Sequence, residues 1–306
     1  MAEQSISHIR PITFTSRDGL ALHAQCYDAP SSPRPPVLCL AGLTRNGRDF
    51  HDLAMALSTG PNARRVYTLD SRGRGLSQYD REWRNYTIPI EMHDVIDFAT
   101  VTGLHGATVI GTSRGGLIAM VLAAIQPTIL RAVVLNDIGP VIERDGLSRI
   151  AGYVGRMPLP GSWAEAADIV AGMNQRGFPA IPKEQWIEIA RAWFNESDGR
   201  PARGYDPNLG RTMSVKDGPA PTLWPQFEAL GALPLLVIRG ENSDILSAAT
   251  VKEMQSRHAD CSVLDVPGEG HAPFLKDNRS IGAITRFIAA VDSGERVADR
   301  DFTARA

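Results

Sequence analysis

Apolar positions along the chain fall into two kinds of run. Short, continuous stretches occur at Pro36-Val-Leu-Cys-Leu40, Arg65-Val-Tyr-Thr-Leu69, Thr108-Val-Ile-Gly111, Ala132-Val-Val-Leu135, Leu235-Leu-Val-Ile238 and Ser262 to Val266. Their length and β-branched content predict strands buried on both faces of a sheet. Between them, Phe50 to Leu57, Pro89 to Thr102, an alanine-rich segment from Arg114, Ala248 to Arg257 and Ser280 to Val291 carry helical spacing. In the second of these, Ile90, Val95, Ile96 and Phe98 form the apolar face. The chain opens with two further strands, Ile9 to Phe14 and Leu20 to Tyr27, joined at Ser16-Arg-Asp-Gly19, where the Asp-Gly pair tolerates positive φ.

Strands that alternate with helices predict an α/β fold, a mostly parallel sheet covered on both faces by right-handed crossovers. The alternation breaks after the sixth strand. Residues from about 141 to 222 show helical patterns cut by Met157-Pro-Leu-Pro-Gly161, Gly177-Phe-Pro and Asp198-Gly-Arg-Pro, with Ser162-Trp-Ala-Glu165 as a capping-box start. The expected organisation is a helical cap, 141–222, inserted into a core built from residues 1–140 and 223–306. Residues beyond Ser293 are polar and are expected to be frayed or loosely docked.

Composition leaves this picture in place and narrows the function. The 306 residues carry 32 Lys and Arg against 34 Asp and Glu, a net charge of -2 that offers no footprint for nucleic acid. Arg64-Arg65 and Arg72-Gly-Arg74 read as solvated loop faces. Cys26, Cys39 and Cys261 are far apart and form no C-x-x-C pair, which argues against a disulfide framework and against a zinc site. No residue pattern supports redox or metal chemistry, so the expectation is that no cofactor is needed. Met1-Ala-Glu-Gln-Ser-Ile-Ser lacks the pattern of a signal peptide, and no run of about 18 apolar residues exists to span a membrane. Cytoplasmic residence away from membranes is expected, and the oligomeric state is not encoded.

Chemistry enters at Gly111-Thr-Ser-Arg-Gly115, where a β-branched strand gives way to a helix within three residues. Such a turn forces Ser113 into a strained conformation and leaves room only for glycine on either side. A hydroxyl held there needs a base. Of seven histidines, His8, His23, His93, His105 and His258 fall on the opening hairpin, on helices or before a strand, and His51 begins a helix. His271 lies in the glycine-proline loop Val266-Pro-Gly-Glu-Gly-His-Ala-Pro-Phe274, past the last strand, where open α/β sheets place their chemistry. A carboxylate must orient the imidazole. Asp244, after the strand that follows the cap, is the preferred acid; Asp137, in Asn136-Asp-Ile-Gly-Pro140, is its rival, and Glu241 is a weaker third choice. Oxyanion donors are expected from the N–H of Arg114, at the helix start, and of Leu43, in the turn Ala41-Gly42-Leu43.

These residues together resemble the α/β-hydrolase superfamily, in particular esterase-like members, across residues 10 to 292. The resemblance rests on the elbow Gly111-Thr-Ser-Arg-Gly115, on Asp70-Ser-Arg-Gly-Arg-Gly-Leu-Ser77, on the Gly-His-Ala-Pro loop and on the inserted cap. It implies a Ser-His-acid triad and an eight-stranded sheet. The oxyanion turn departs from the common His-Gly start, and Ser243 stands three residues past Gly240, where many members carry the acid, with Asp244 one place later. Some small esterases carry the acid in an Asp-Ile-x-Pro turn, which Asp137-Ile-Gly-Pro140 matches.

Four of five tryptophans, Trp163, Trp186, Trp193 and Trp224, fall in or beside the cap. Trp186 and Trp193 are one heptad apart and can pack within it. Trp163, Trp186 and Trp224 are the candidate walls of an apolar substrate pocket. Arg45 is a candidate substrate contact, and Arg114 is expected to pair beneath the elbow with Asp70 or Asp137. The leading expectation is a serine hydrolase acting on hydrophobic small-molecule esters or lactones. Carbon-carbon bond hydrolysis, acyl transfer and non-catalytic ligand binding are the alternatives.

Overall fold

The computed structural model describes residues 8–213 and 222–302. In chain order it contains β1 (Ile9–Thr15), β2 (Ala21–Tyr27), β3 (Val37–Leu40), α1 (His51–Ser58), β4 (Val66–Asp70), α2 (Ile88–Thr102), β5 (Ala107–Thr112), α3 (Arg114–Ile125) and β6 (Leu130–Asn136). Then come α4 (Arg144–Tyr153), α5 (Trp163–Asn174), α6 (Gln185–Trp193), the short strands β7 (Asn195–Ser197) and β8 (Arg200–Ala202), and α7 (Trp224–Glu228). The chain closes with β9 (Leu235–Gly240), α8 (Ala248–Arg257), β10 (Cys261–Val266) and α9 (Asn278–Asp292).

Eight strands form one sheet in the order β1-β2-β4-β3-β5-β6-β9-β10. Only β2 runs against its neighbours; the five pairings of β4, β3, β5, β6, β9 and β10 among themselves are parallel. The continuous apolar runs are explained by burial of both sheet faces. Successive side chains of β3 alternate between two cores, Leu38 and Leu40 packing with α2 and α3, and Val37 and Cys39 packing with α1 and α9. A parallel sheet with its topological reversal near β3 and β5 places both strand ends at one carboxyl edge.

The segment between β6 and β9 carries its own small core of Val170, Phe178, Trp186, Ile189 and Phe194. Ser162 caps α5 by accepting from the N–H of Glu165 at 3.2 Å, as the S-x-x-E pattern predicts, while the Glu165 carboxylate accepts from the N–H of Gly161 instead of from Ser162. Besides helices this segment contains the β7–β8 hairpin, which turns at Asp198-Gly199; its strands are too short and too exposed to leave a periodic signature. Among the described residues no helix is long and apolar enough to cross a membrane.

Two expectations change. Arg72 and Arg74 are not solvated: each is 1% exposed or less, Arg72 held by Asp18, Asp80 and Asp94, and Arg74 by Glu91. The polar tail is not frayed up to residue 302, because Val297 and Phe302 bury themselves beside α9, with Phe302 edge-on to Phe287. Replacing Phe302 by alanine is therefore expected to destabilise the protein by about 3 kcal/mol, measured by urea denaturation; a loosely attached tail gives a change close to zero.

Candidate active site

The turn from β5 into α3 is set by steric exclusion. A Cβ on Gly111 would lie 2.5 Å from the carbonyl carbon of Gly115, and one on Gly115 would lie 2.1 Å from the carbonyl oxygen of Leu40. Ser113, between them, adopts φ 50° and ψ −113°, a conformation costly for any residue with a Cβ. Its backbone N–H donates to the carbonyl of Asn136 at 2.9 Å, and its carbonyl accepts from Gly116. The hydroxyl is thus presented at the sheet's carboxyl edge beside the N-terminus of α3.

His271 Nε2 lies 2.9 Å from Ser113 Oγ, and His271 Nδ1 lies 2.8 Å from Asp137 Oδ2. A carboxylate only accepts, so Nδ1 donates and Nε2 is left to accept from the serine hydroxyl. Asp137 is fully buried at the end of β6. Its Oδ1 accepts from the N–H of Gly240 at 2.8 Å, and its Oδ2 also accepts from Ser243 Oγ at 2.6 Å. Both oxygens are therefore held in place by hydrogen bonds. Asn136 ties the histidine loop to the elbow, donating to Pro273 O and to Thr112 Oγ1.

Asp244, the acid preferred from the sequence, does not meet His271 in a hydrogen bond. It lies beyond the end of β9, where Arg149 of α4 takes both its oxygens at 2.6 and 2.8 Å. Burial works to raise the Asp244 carboxyl, but Arg149 holds it below its ordinary range. Asp137 reaches the imidazole because β6 lies directly between β5 and β9, bringing its last turn beside both the serine and the histidine loop. Ser243, at the position where an acid was anticipated, orients that carboxylate instead. Glu241 is engaged by the N–H of Gly268.

The two anticipated oxyanion donors belong to segments that adjoin the serine. A Cβ on Gly42 would stand 3.7 Å from Ser113 Cβ, so the turn carrying Leu43 runs against the elbow. Arg114 is the first residue of α3, and its N–H has no preceding helical turn to donate into. Its guanidinium is bound neither to Asp70 nor to Asp137. Glu91 of α2 receives it at 2.7 and 3.0 Å, and Tyr86 O accepts a further bond. Asp70 is occupied by the N–H groups of Gly47 and Leu76 and by His23. The same Glu91 binds Arg74 at 2.7 Å, and Arg74 Nε donates to Leu43 O at 2.8 Å. One buried carboxylate thereby braces the residues on both sides of the serine; burial works to raise it, and Arg114 and Arg74 hold it below its ordinary range. This network has no single-sequence signal, because Glu91 lies on an otherwise ordinary helix.

A cavity of about 60 Å³ adjoins Ser113, lined among others by Leu43, Arg45, Tyr153, Trp193, His271 and Phe274. Trp163, Trp186 and Trp224 do not line it. Trp163 donates to Gly199 O and Trp186 is buried in the inserted segment, while Trp224 packs against Phe227 and under Arg257. The tryptophan that reaches the cavity is Trp193, at the end of α6, and Arg45 stacks 3.7 Å above its ring. A larger cleft of about 420 Å³ lies on the other side of His271, with Arg149, Arg176, Asn242 and Asp244 on its walls; His271 and Asn174 border both spaces. Among the described residues no group of three or more His, Cys, Asp or Glu side chains is placed to hold a metal ion.

Residues 37–280 match the model of the alpha/beta hydrolase family. A 3-hydroxybutyrate-oligomer hydrolase of Cupriavidus necator is 32% identical over 279 residues, which are 87% of this chain and 93% of that one. A 2-(acetamidomethylene)succinate hydrolase of Mesorhizobium japonicum is 26% identical over 84% of this chain and 88% of its own. The crystal structure of an alpha/beta hydrolase from Novosphingobium aromaticivorans superposes with a TM-score of 0.85 at 40% identity, covering 93% of this chain and 99% of that one.

Glu269, in the histidine loop, is pushed up to about 7 by burial, with Asp277 adding to the rise and the N–H of Phe274 opposing it. A carboxyl raised on folding contributes stability that is complete below its unfolded value and is lost as pH rises through its folded value. The neutral isostere Glu269→Gln is accordingly expected to melt several degrees above the wild type near pH ~8 and close to it near pH ~5. Thermal denaturation at the two pH values checks this.

Proposed function

The chain belongs to the alpha/beta hydrolase family, and within it we propose a serine hydrolase that cleaves small carboxylic esters or lactones through an acyl-enzyme. The observation that carries this reading is the relay from Asp137 through His271 to Ser113, with contacts of 2.8 and 2.9 Å. His271 takes the hydroxyl proton as Ser113 Oγ attacks the ester carbonyl, and Asp137 stabilises the imidazolium that results. The N–H groups of Leu43 and Arg114 receive the negative oxygen of the tetrahedral intermediate. Collapse breaks the bond to the leaving alcohol, which departs with the proton from His271. Water, activated by the same imidazole, then attacks the acyl-serine and frees the acid.

The relative named as a 3-hydroxybutyrate-oligomer hydrolase supports an ester substrate, since units of a hydroxy acid are joined through ester bonds. The inserted segment acts as a cap that limits water at the site. The chamber beside Ser113, about 60 Å³, has room for roughly four water-sized groups, which favours a short acyl part. The remainder of the substrate lies in the polar cleft beyond His271.

A fluorophosphonate probe is expected to label Ser113 in the folded protein and to leave Ser113→Ala unlabelled. Asp137→Asn is expected to lower kcat/KM on 4-nitrophenyl butyrate about 10³- to 10⁴-fold, and Asp244→Asn less than about tenfold. An unlabelled wild-type Ser113 would overturn the mechanism, and equal losses in the two aspartate variants would overturn the assignment of the acid.

A further inference from the structure

Arg45 and Trp193 form a stacked pair on the wall of the chamber that holds Ser113. The guanidinium lies 3.7 Å above the indole ring and 5.7 Å from the ring of Phe274. Gly42 separates it from the serine: a Cβ there would be 3.7 Å from Ser113 Cβ and 3.8 Å from Arg45 Cγ. One arm of the guanidinium, Nη2, donates to Asp49 Oδ1 at 2.8 Å. Two N–H donors of the pair are buried with no acceptor in the protein, Arg45 Nε and Trp193 Nε1. Trp193 is 7% exposed, so its donor cannot turn to bulk water. Unpaired donors at this depth are costly unless a bound molecule supplies the acceptor.

Charge decides which acceptor. Asp49 lines the same chamber and already neutralises Arg45. A free carboxylate brought beside Asp49 in so small a space would meet like charge, whereas a neutral carbonyl oxygen carries no net charge for Asp49 to repel. Asn174, on the same wall, commits one of its two amide N–H groups to Val170 O and carries no charge.

We propose that Arg45 and Trp193 form a subsite for a second, neutral carbonyl oxygen on the acyl part of the substrate. The substrate class is then an ester whose acyl chain carries a further carbonyl a few bonds from the scissile one, as a short oligoester of a hydroxy acid does. This rests on the reading of Ser113 as the nucleophile.

Three 4-nitrophenyl esters of matched size test it: pentanoate, 4-oxopentanoate and hemisuccinate. In the wild type, kcat/KM for the 4-oxo ester is expected to exceed that for pentanoate about tenfold or more, with hemisuccinate below the 4-oxo ester. In Trp193→Phe, which keeps the ring and deletes one donor, and in Arg45→Met, the ratio of 4-oxo ester to pentanoate is expected to fall toward one. A wild-type ratio near one, or a ratio that both variants leave intact, overturns the subsite while fluorophosphonate labelling of Ser113 still upholds the hydrolase. A preference for hemisuccinate that Arg45→Met removes overturns the neutral carbonyl in favour of a carboxylate. Failure of all three esters together with an unlabelled Ser113 overturns the hydrolase and the subsite with it.

Discussion

Backbone contact between α3 and β3 is the constraint on which the site depends. With a Cβ on Gly115 only 2.1 Å from Leu40 O, the first turn of the helix can sit against the strand end only if that residue is glycine. Because β3 and β5 are hydrogen-bonded neighbours, the same approach draws the turn after β3 alongside the serine. Strain at Ser113 costs on the order of 1–3 kcal/mol. It is offset by burial of the apolar clusters on both sheet faces, where Ile118, Met120 and Leu122 of α3 are fully packed. A strained residue over a rigid sheet holds its hydroxyl in place without help from flexible loops, and the histidine needs only to be delivered to it.

Electrostatics around the elbow is organised by buried charge. Arg74, Glu91 and Arg114 together leave one net positive charge close to the two backbone N–H groups that flank Ser113. On the proposed mechanism, positive charge beneath the emerging oxyanion favours its formation and, being buried, is weakly screened. Removing Glu91 would leave two guanidinium groups in mutual repulsion, whereas an apolar replacement of all three members would lose the grip on Leu43 O. The cluster is better understood as fixing geometry than as adding stability, since buried ion pairs often contribute little net free energy.

The sheet was readable from the sequence because burial on both faces leaves an unbroken apolar run, and all eight strands carry such a run or a period-two pattern. Ser113 and His271 were readable because their placement follows from local chemistry: a glycine-flanked turn in one case and a Gly-Pro loop at the sheet edge in the other. The acid was not, because both aspartates follow strand ends and the choice is made by distant partners. Arg149, 95 positions from Asp244, removes one candidate, while Gly240 and Ser243 secure the other. The same limit applies to Arg72 and Arg74, whose acidic partners lie on other elements. It applies again to the tryptophans: spacing puts Trp186 and Trp193 on one face of α6, but only the packing of α6 against the core carries Trp193 to the chamber.

Two of the ties that fasten the inserted segment to the core involve residues next to the site. On one side, α4 is tied to the loop after β9 by bonds from Glu143 and Gly146 to the carbonyls of Ile245 and Asp244, and by the Arg149–Asp244 pair. On the other, Asn46 and Arg48 donate to carbonyls at the end of α6, Ala192 O and Phe194 O. His271 and Asn174 border both the chamber beside Ser113 and the wider cleft, whose walls are joined by the bond from Asn242 to Gly177 O. On the proposed mechanism, a leaving alcohol in this cleft lies beside the imidazole from which it receives its proton. On that mechanism Asp244, which lies with Arg149 on the wall of the cleft and makes no hydrogen bond to His271, would shape the route of the alcohol.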